Sequence, residues 1–517
     1  MKNIIIRTNF NNETGLGHVF RMKNLAQELS KKSKITFYLD KHDKLTNKIL
    51  NFDCEYLYKK NEKFKNQKND SIKLKNKIKN KKIDCIIVDD YRLDSKWERL
   101  FYKKLNLVVF DDNNSKKHFC DIIVDAKWTG ITTNQRYTNL VNKKTLKLCG
   151  PNYSIINSYK KKNKSSHNIL FYIGGGGEFK KYYGFLNYFS NALKHYKNYK
   201  IVLICGPLVK NKKDLLKITK KLKNIRVVSN SLNVSKILSE TDIYIGVSSS
   251  IIYELNYHNI LSILFSSSKN QKNDITHLRD LGFNFLITKS DIYLNPKKVS
   301  KFLILIIKNL KRVKKNNQRK ICVDENGRKR ISANIFNLIN KTKNKNNKYN
   351  INNPYIQNEE IYKKNGFYNV TDCEMNNYLI SKNLFLNRKN SINTNKIKNL
   401  DHYIWWFTQK SKLFYFIRDN KIRIYLNHRK ININNKLYYY GGWFVSKNKA
   451  ILSDALNVVD WQTKKFSKYN WLAIIKKKNK AVYKLNNYLK FKKIKFKKIH
   501  KKFFNIKNEK KYYLLKK

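Results

Sequence analysis

The chain has 517 residues, of which 41% are hydrophobic and 13% aromatic, enough apolar material for about three domains and too much for wholesale disorder. No stretch approaches the ~18 consecutive apolar residues of a membrane-spanning helix; the best run, Phe302 to Ile307, is flanked by Lys301 and Lys308. Lys and Arg total 110 against 36 Asp and Glu, but the excess is overwhelmingly Lys and spread along the whole chain, which reads as a solvated surface and argues against nucleic acid as the main partner.

The start, Met1-Lys2-Asn3 running into Ile4-Ile5-Ile6-Arg7, is too short for a secretory apolar segment and reads as a buried strand, so a cytoplasmic location is expected. Strands are predicted at Asn3 to Arg7, Ile35 to Leu39, Ile83 to Val88, Leu107 to Phe110 and Ile122 to Val124. Each is built around a run of Ile, Val, Leu or Phe, as a parallel sheet covered on both faces requires. This defines a first doubly wound domain over residues 1–158. Its first strand leads to Gly15-Leu16-Gly17-His18 and then Arg21, followed by a helical pattern. Gly15 and Gly17 allow close approach of the backbone to a ligand, and His18 stands at the mouth of the helix. On spacing alone His18 fills a core or caps the helix as readily as it reacts. The third glycine of a dinucleotide fingerprint is missing, so the pattern is not that fingerprint.

A second α/β series spans 165–340, with strands predicted at Asn168 to Ile173, Ile201 to Cys205, Arg226 to Val228, Ile243 to Gly246, Ile260 to Phe265 and Phe285 to Ile287. Gly174, Gly175, Gly176 and Gly177 follow the first of these, in a chain with only 16 glycines, and suggest a phosphate approach. Ser248-Ser249-Ser250 forms a hydroxyl-lined turn between a strand and a helix, suited to a diphosphate, and Glu254 lies one turn on, placed to accept from ribose hydroxyls. Asn270 and Gln271 follow another strand, either at the ligand end of the sheet or in a solvated loop. Residues 341–354 are polar and read as a linker. In 355–517, runs at Phe414 to Ile417, Ile422 to Leu426, Leu437 to Trp443 and Trp471 to Ile475, with a helix at Ala481 to Leu489, predict a smaller α+β domain built on an antiparallel meander. The seven cysteines form no C-x-x-C pair and lie mostly in apolar runs, which predicts free thiols and no metal site.

Gly15-x-Gly17-His18-x-x-Arg21, Asp90-Tyr91-Arg92-Leu93-Asp94, Asp111-Asp112, Gly150-Pro151-x-Tyr153, the Gly174 loop, Glu254, Asn270-Gln271 and Asp324-x-x-Gly327-x-x-Arg330 occur in an order that resembles the UDP-2,4-diacetamido-2,4,6-trideoxy-β-L-altropyranose hydrolases of pseudaminic acid biosynthesis, over roughly residues 1–340. The resemblance implies two Rossmann-like domains of the GT-B type, as in MurG, and release of UDP from a UDP-sugar by water attack, with neither metal nor cofactor. It implies His18 as base, Tyr91 toward the sugar, and Glu254, Asn270 and Gln271 toward UDP; the residues' own pattern adds Gly15, Gly17 and Arg21 on the sugar side and Gly174, Gly175, Gly176, Ser248 and Ser249 on the UDP side. The chain departs from the family at Ser248-Ser249-Ser250, where glycine is expected, and at Gly177-Glu178, where Ser or Thr before Asp is usual. A nucleotide-sugar glycosyltransferase, or a polyanion-binding protein without catalysis, remain alternatives. More loosely, Trp405-Trp406, the strands that follow and Asn479 ahead of a helix resemble the GNAT acetyltransferases, which implies acetyl-CoA as a cofactor of the third domain. The stretch Ser446 to Asp454 lacks the glycines with which that superfamily grips the CoA pyrophosphate.

Overall fold

The computed structural model describes residues 1–9, 16–157, 159, 167–206, 208–229, 234–267, 271–316, 319–341, 364–433 and 435–517. The chain divides into two compact units, Met1–Ser300 with Arg319–Gln357, and Lys301–Gln318 with Asn358–Lys517. The domain expected over 1–158 lies in the first unit; the one expected over 165–340 does so except for Lys301–Gln318, which the second unit takes, and the stretch read as a linker falls, after Lys341, outside the described residues.

In the first lobe, strands β1 (Lys2–Thr8), β2 (Ser33–Leu39), β3 (Asp53–Tyr56), β4 (Cys85–Asp89), β5 (Asn106–Phe110), β6 (Ile122–Asp125) and β7 (Leu146–Cys149) form one sheet in the order β3-β2-β1-β4-β5-β6-β7, parallel throughout. The unbroken apolar runs follow from burial on two sides. Ile4, Ile6 and Ile87 enter one core cluster, while Ile5, Ile86 and Val88 enter the cluster on the opposite face. The sheet edges carry β3 and β7, which lack such runs and were not expected.

The second lobe contains β8 (Asn168–Tyr172), β9 (Gly176–Glu178), β10 (Lys200–Cys205), β11 (Leu208–Lys210), β12 (Ile225–Ser229), β13 (Ile243–Val247), β14 (Leu261–Phe265) and β15 (Phe285–Leu286). Its main parallel sheet runs β12-β10-β8-β13-β14-β15, with β9 and β11 paired separately. In both sheets the order reverses beside the first strand, between β1 and β4 and between β8 and β13. Loops diverge at such points and leave a crevice at the carboxyl ends of the strands. The helix Gly327–Ile339 returns the chain to the first lobe, where Ile331, Ile335 and Ile339, one helical face, complete the β1 core cluster. Its first residue has to be glycine: a Cβ on Gly327 would stand 2.0 Å from the Ser154 carbonyl oxygen.

In the second unit β16 (Gly366–Asn369), β17 (Lys412–Arg418), β18 (Lys421–Ile433), β19 (Lys436–Val445), β20 (Asn470–Lys476), β21 (Lys492–Ile494) and β22 (Tyr512–Lys516) form a sheet ordered β16-β17-β18-β19-β20-β22-β21. The expected antiparallel meander holds through β19 only. Helix Leu452–Lys465 carries the chain back, so β20 joins β19 in parallel, pairing Tyr438–Tyr440 with Asn470–Leu472. Trp406 is a core residue, its indole N–H donating to Asp372 at 2.8 Å. All seven cysteines are free thiols.

Candidate functional site

The reversal points of both sheets open on one cleft of about 300 Å³ within the first unit. Gly17, His18, Arg21 and Tyr91 line it from the first lobe. Gly174, Gly175, Ser248, Ser249, Glu254 and Gln271 line it from the second. Gly15 and Asn270 lie outside the described residues.

His18 is the second residue of helix Gly17–Leu29 and makes no capping bond there. Its Nδ1 lies 2.6 Å from Oδ1 of Asp89, the last residue of β4, which stands beside Thr8 across the β1/β4 pair. Burial alone would raise the Asp89 carboxyl, but Arg21 and His18 outweigh it and hold the group down at about 2. An ionised carboxylate only accepts, so Nδ1 carries the proton and Nε2 is the basic nitrogen left toward the cleft. One helical turn on, Arg21 donates from Nε and Nη2 to Asp89 at 2.9 and 2.6 Å, and from Nη1 to both oxygens of Asp112 at 3.0 and 2.9 Å. Tyr91 donates its hydroxyl to Asp112 at 2.7 Å, and its ring stands edge-on to His18 with centroids 4.4 Å apart. Burial and the Asp112 carboxylate keep the Tyr91 phenol far above its usual value, so it remains a donor. Arg21 therefore faces the cleft already committed to two carboxylates. Asp89 and Asp112 received no role from the sequence; the available signal was that β4 and β5 each run into an Asp pair.

On the other wall the glycine run divides. Gly174 and Gly177 take φ of +105° and +107°, a region that favours glycine. Gly175 faces the first lobe, a Cβ there lying 3.8 Å from the Leu16 amide nitrogen. Gly176 does not line the cleft, because it begins β9 and pairs with Leu208. A glycine that the sequence reading passed over, Gly206, packs so tightly on this loop that its Cβ would meet the Gly175 carbonyl at 2.3 Å. The turn after β13 also differs from expectation. The Ser248 hydroxyl points into the wall and donates to the Gln271 carbonyl at 2.7 Å, so Ser249 and Ser250 are the serines left toward the cleft. The Gln271 side-chain oxygen is likewise spent within its loop, accepting from the Ser267 amide at 2.9 Å. Glu254 accepts from Ser235, and burial pushes its carboxyl up to about 7.

In the second unit, helix Leu452–Lys465 begins within the stretch that carries no glycine where the GNAT resemblance implies the CoA grip. There the Ile451 amide donates to Asp454 at 2.9 Å, and Asp454, fully buried, is paired with Arg418. The chain's own carboxylate thus caps this helix start. Among the described residues no group of three or more His, Cys, Asp and Glu side chains is arranged for a metal ion, and no helix is long and apolar enough to cross a membrane.

No protein-family model matches the chain. It is 27% identical over 317 residues to an uncharacterized protein of Methanocaldococcus jannaschii, covering 58% of this chain and 61% of that relative, so it spans about three fifths of that relative's length. It is 25% identical over 290 residues to a Campylobacter jejuni protein named UDP-2,4-diacetamido-2,4,6-trideoxy-beta-L-altropyranose hydrolase, covering 54% of this chain and 97% of the relative. Among solved structures, Neisseria meningitidis UDP-GlcNAc 2-epimerase bound to UDP-GlcNAc aligns with a TM-score of 0.43 at 12% identity over 65% of this chain and 100% of the other. Acinetobacter baumannii MurG aligns with a TM-score of 0.43 at 13% identity over 65% and 99%.

Proposed function

We propose that the first unit is a UDP-sugar hydrolase that releases UDP from a UDP-activated diacetamido-trideoxy sugar, as named for the C. jejuni relative. The observation that carries this reading is the His18–Asp89 pair at the mouth of the cleft, with Nδ1 bound and Nε2 available. A glycosyl diphosphate already has a good leaving group, so the protein has only to hold a water, accept its proton and steady the separating charges. His18 Nε2 takes the proton as the water oxygen bonds to the anomeric carbon. The carbon–oxygen bond to the β-phosphate breaks, and UDP departs with the electron pair. Asp89 stabilises the imidazolium so formed and keeps the ring in the productive tautomer. Tyr91 flanks the imidazole on the sugar side, while Glu254, once ionised, accepts from the ribose hydroxyls. No cofactor is needed.

For the second unit we propose a GNAT-like fold, supported by the four antiparallel strands followed by a parallel β19/β20 step confined to three residue pairs. Because Asp454 fills the helix start, acetyl transfer is not assigned to it.

The test is incubation of the full chain with a panel of UDP-diacetamido sugars, alone and with acceptor sugars, reading UDP and products by mass. Release of free sugar without an acceptor, abolished in His18→Ala with UDP affinity retained, is the expected result. Product formed only with an acceptor would make the protein a transferase, and unchanged turnover in His18→Ala would remove the base.

A further inference from the structure

The proposed reaction leaves one need unmet among the groups so far described: a positive charge for the departing diphosphate. The charge of Arg21 is already offset by two carboxylates, its Nε and Nη2 donating to Asp89 and its Nη1 to Asp112. The carboxyl groups lining the cleft, Asp112 and Glu254, repel a phosphate when ionised. The other described cation in the lining is Lys127, whose ammonium has no hydrogen-bond or ion-pair partner among the described residues. Lys127 follows β6 by two residues. Its amide donates to Asp125 Oδ1 at 2.8 Å, and Arg136 Nε holds Asp125 Oδ2 at 2.6 Å, so the backbone of this turn is fixed. Its neighbours Ala126 and Trp128 pack on the second-lobe cluster that contains Ile251, Ile252 and Tyr253, the residues directly after Ser249 and Ser250. The Trp128 indole N–H donates to Asp280 at 3.1 Å and ties the same turn to the second lobe. Lys127 thus lines the cleft from the first lobe, between two residues that pack on the second.

We propose that Lys127 binds the diphosphate of the UDP-sugar and takes up the charge that develops on it as the bond to the anomeric carbon breaks. The role rests on the hydrolase reading but concerns a residue which that reading does not use. Lys127 makes no covalent bond: the electron pair of the broken bond stays on the β-phosphate oxygen, and the ammonium hydrogen-bonds to the phosphate. Burial and the nearby Arg136 lower its proton affinity against the opposing pull of Asp125, Asp112 and Asp111, and a phosphate beside it favours the charged ammonium.

The experiment is calorimetric titration of the full-length wild type, Lys127→Met and Lys127→Arg with UDP and with uridine, alongside UDP-sugar turnover. Lys127→Met should bind UDP at least tenfold more weakly and uridine unchanged, with slower UDP release, and Lys127→Arg should recover most of both. Equal UDP affinity in wild type and Lys127→Met would overturn the proposal while leaving the hydrolase reading intact. A parallel loss of uridine binding would reduce Lys127 to a structural residue and also overturn it. If wild type bound neither ligand, the hydrolase reading itself would fall and Lys127 with it.

Discussion

Glu254 offers a quantitative test of the cleft. Its carboxyl ionises near 7 in the folded chain against 4.5 when free, because it is withdrawn from water, with Ser235 the one side-chain donor to it among the described residues. Below pH 4.5 the group is protonated in both folded and unfolded chains and contributes nothing to the pH dependence. Between 4.5 and 7 the unfolded chain has given up its proton and the folded one has not, so stability falls as pH rises, and above 7 the loss is complete. At ~1.4 kcal/mol per decade the loss is at most about 3 kcal/mol, less the screening that a water-filled cleft provides. Glu254→Gln removes the dependence. Thermal unfolding of wild type and variant in matched buffers should show similar midpoints at pH 4.5 and a variant more stable by a few degrees at pH 8. Wild-type affinity for UDP should in turn rise over the same interval, as the carboxylate that accepts from ribose becomes available. Unfolding midpoints that run parallel for the two proteins from pH 4.5 to 8 would refute the argument.

Asp89→Asn should leave UDP affinity near that of wild type and lower the rate of UDP release by ~10²- to 10⁴-fold, since an amide no longer fixes the imidazole tautomer; steady-state assays check this, and an unchanged rate would detach Asp89 from catalysis. In the second unit, burial holds the His428 imidazole near 4 rather than 6.5, so the folded state resists protonation and loses stability as pH falls from 6.5 toward 4. His428→Phe should shift the acid midpoint of this unit downward, followed by tryptophan fluorescence, because Trp471 lies 5.2 Å from the His428 ring; identical midpoints would contradict the reading.

What the sequence disclosed follows its local chemistry. Ile4-Ile5-Ile6 and Ile86-Ile87-Val88 announced strands because each neighbouring residue is buried on the opposite face. Asp53 to Tyr56 and Leu146 to Cys149 did not, since edge strands are covered on fewer sides. The parallel β19/β20 step was hidden as well, because pairing across the long crossover from Val445 to Asn470 leaves no local pattern. His18 and Arg21 were legible from the glycines before them, whereas their partners Asp89 and Asp112 stand 71 and 91 residues away and are joined to them only by the β1-β4-β5 adjacency. The strand pairing of Gly176 and the inward hydroxyl of Ser248, which still lines the cleft, were hidden for a related reason: sequence names the residue in a turn but not the direction in which it faces.

The return helix has a consequence for biogenesis. Ile331, Ile335 and Ile339 are part of the core beneath β1, yet they are made more than 170 residues after the last strand of that sheet. The amino-terminal lobe consequently leaves the ribosome with an open apolar socket and closes it only once its companion has been translated. Gene fragments ending near residue 158 should be sticky and poorly behaved, and the lobes are therefore obliged to mature together.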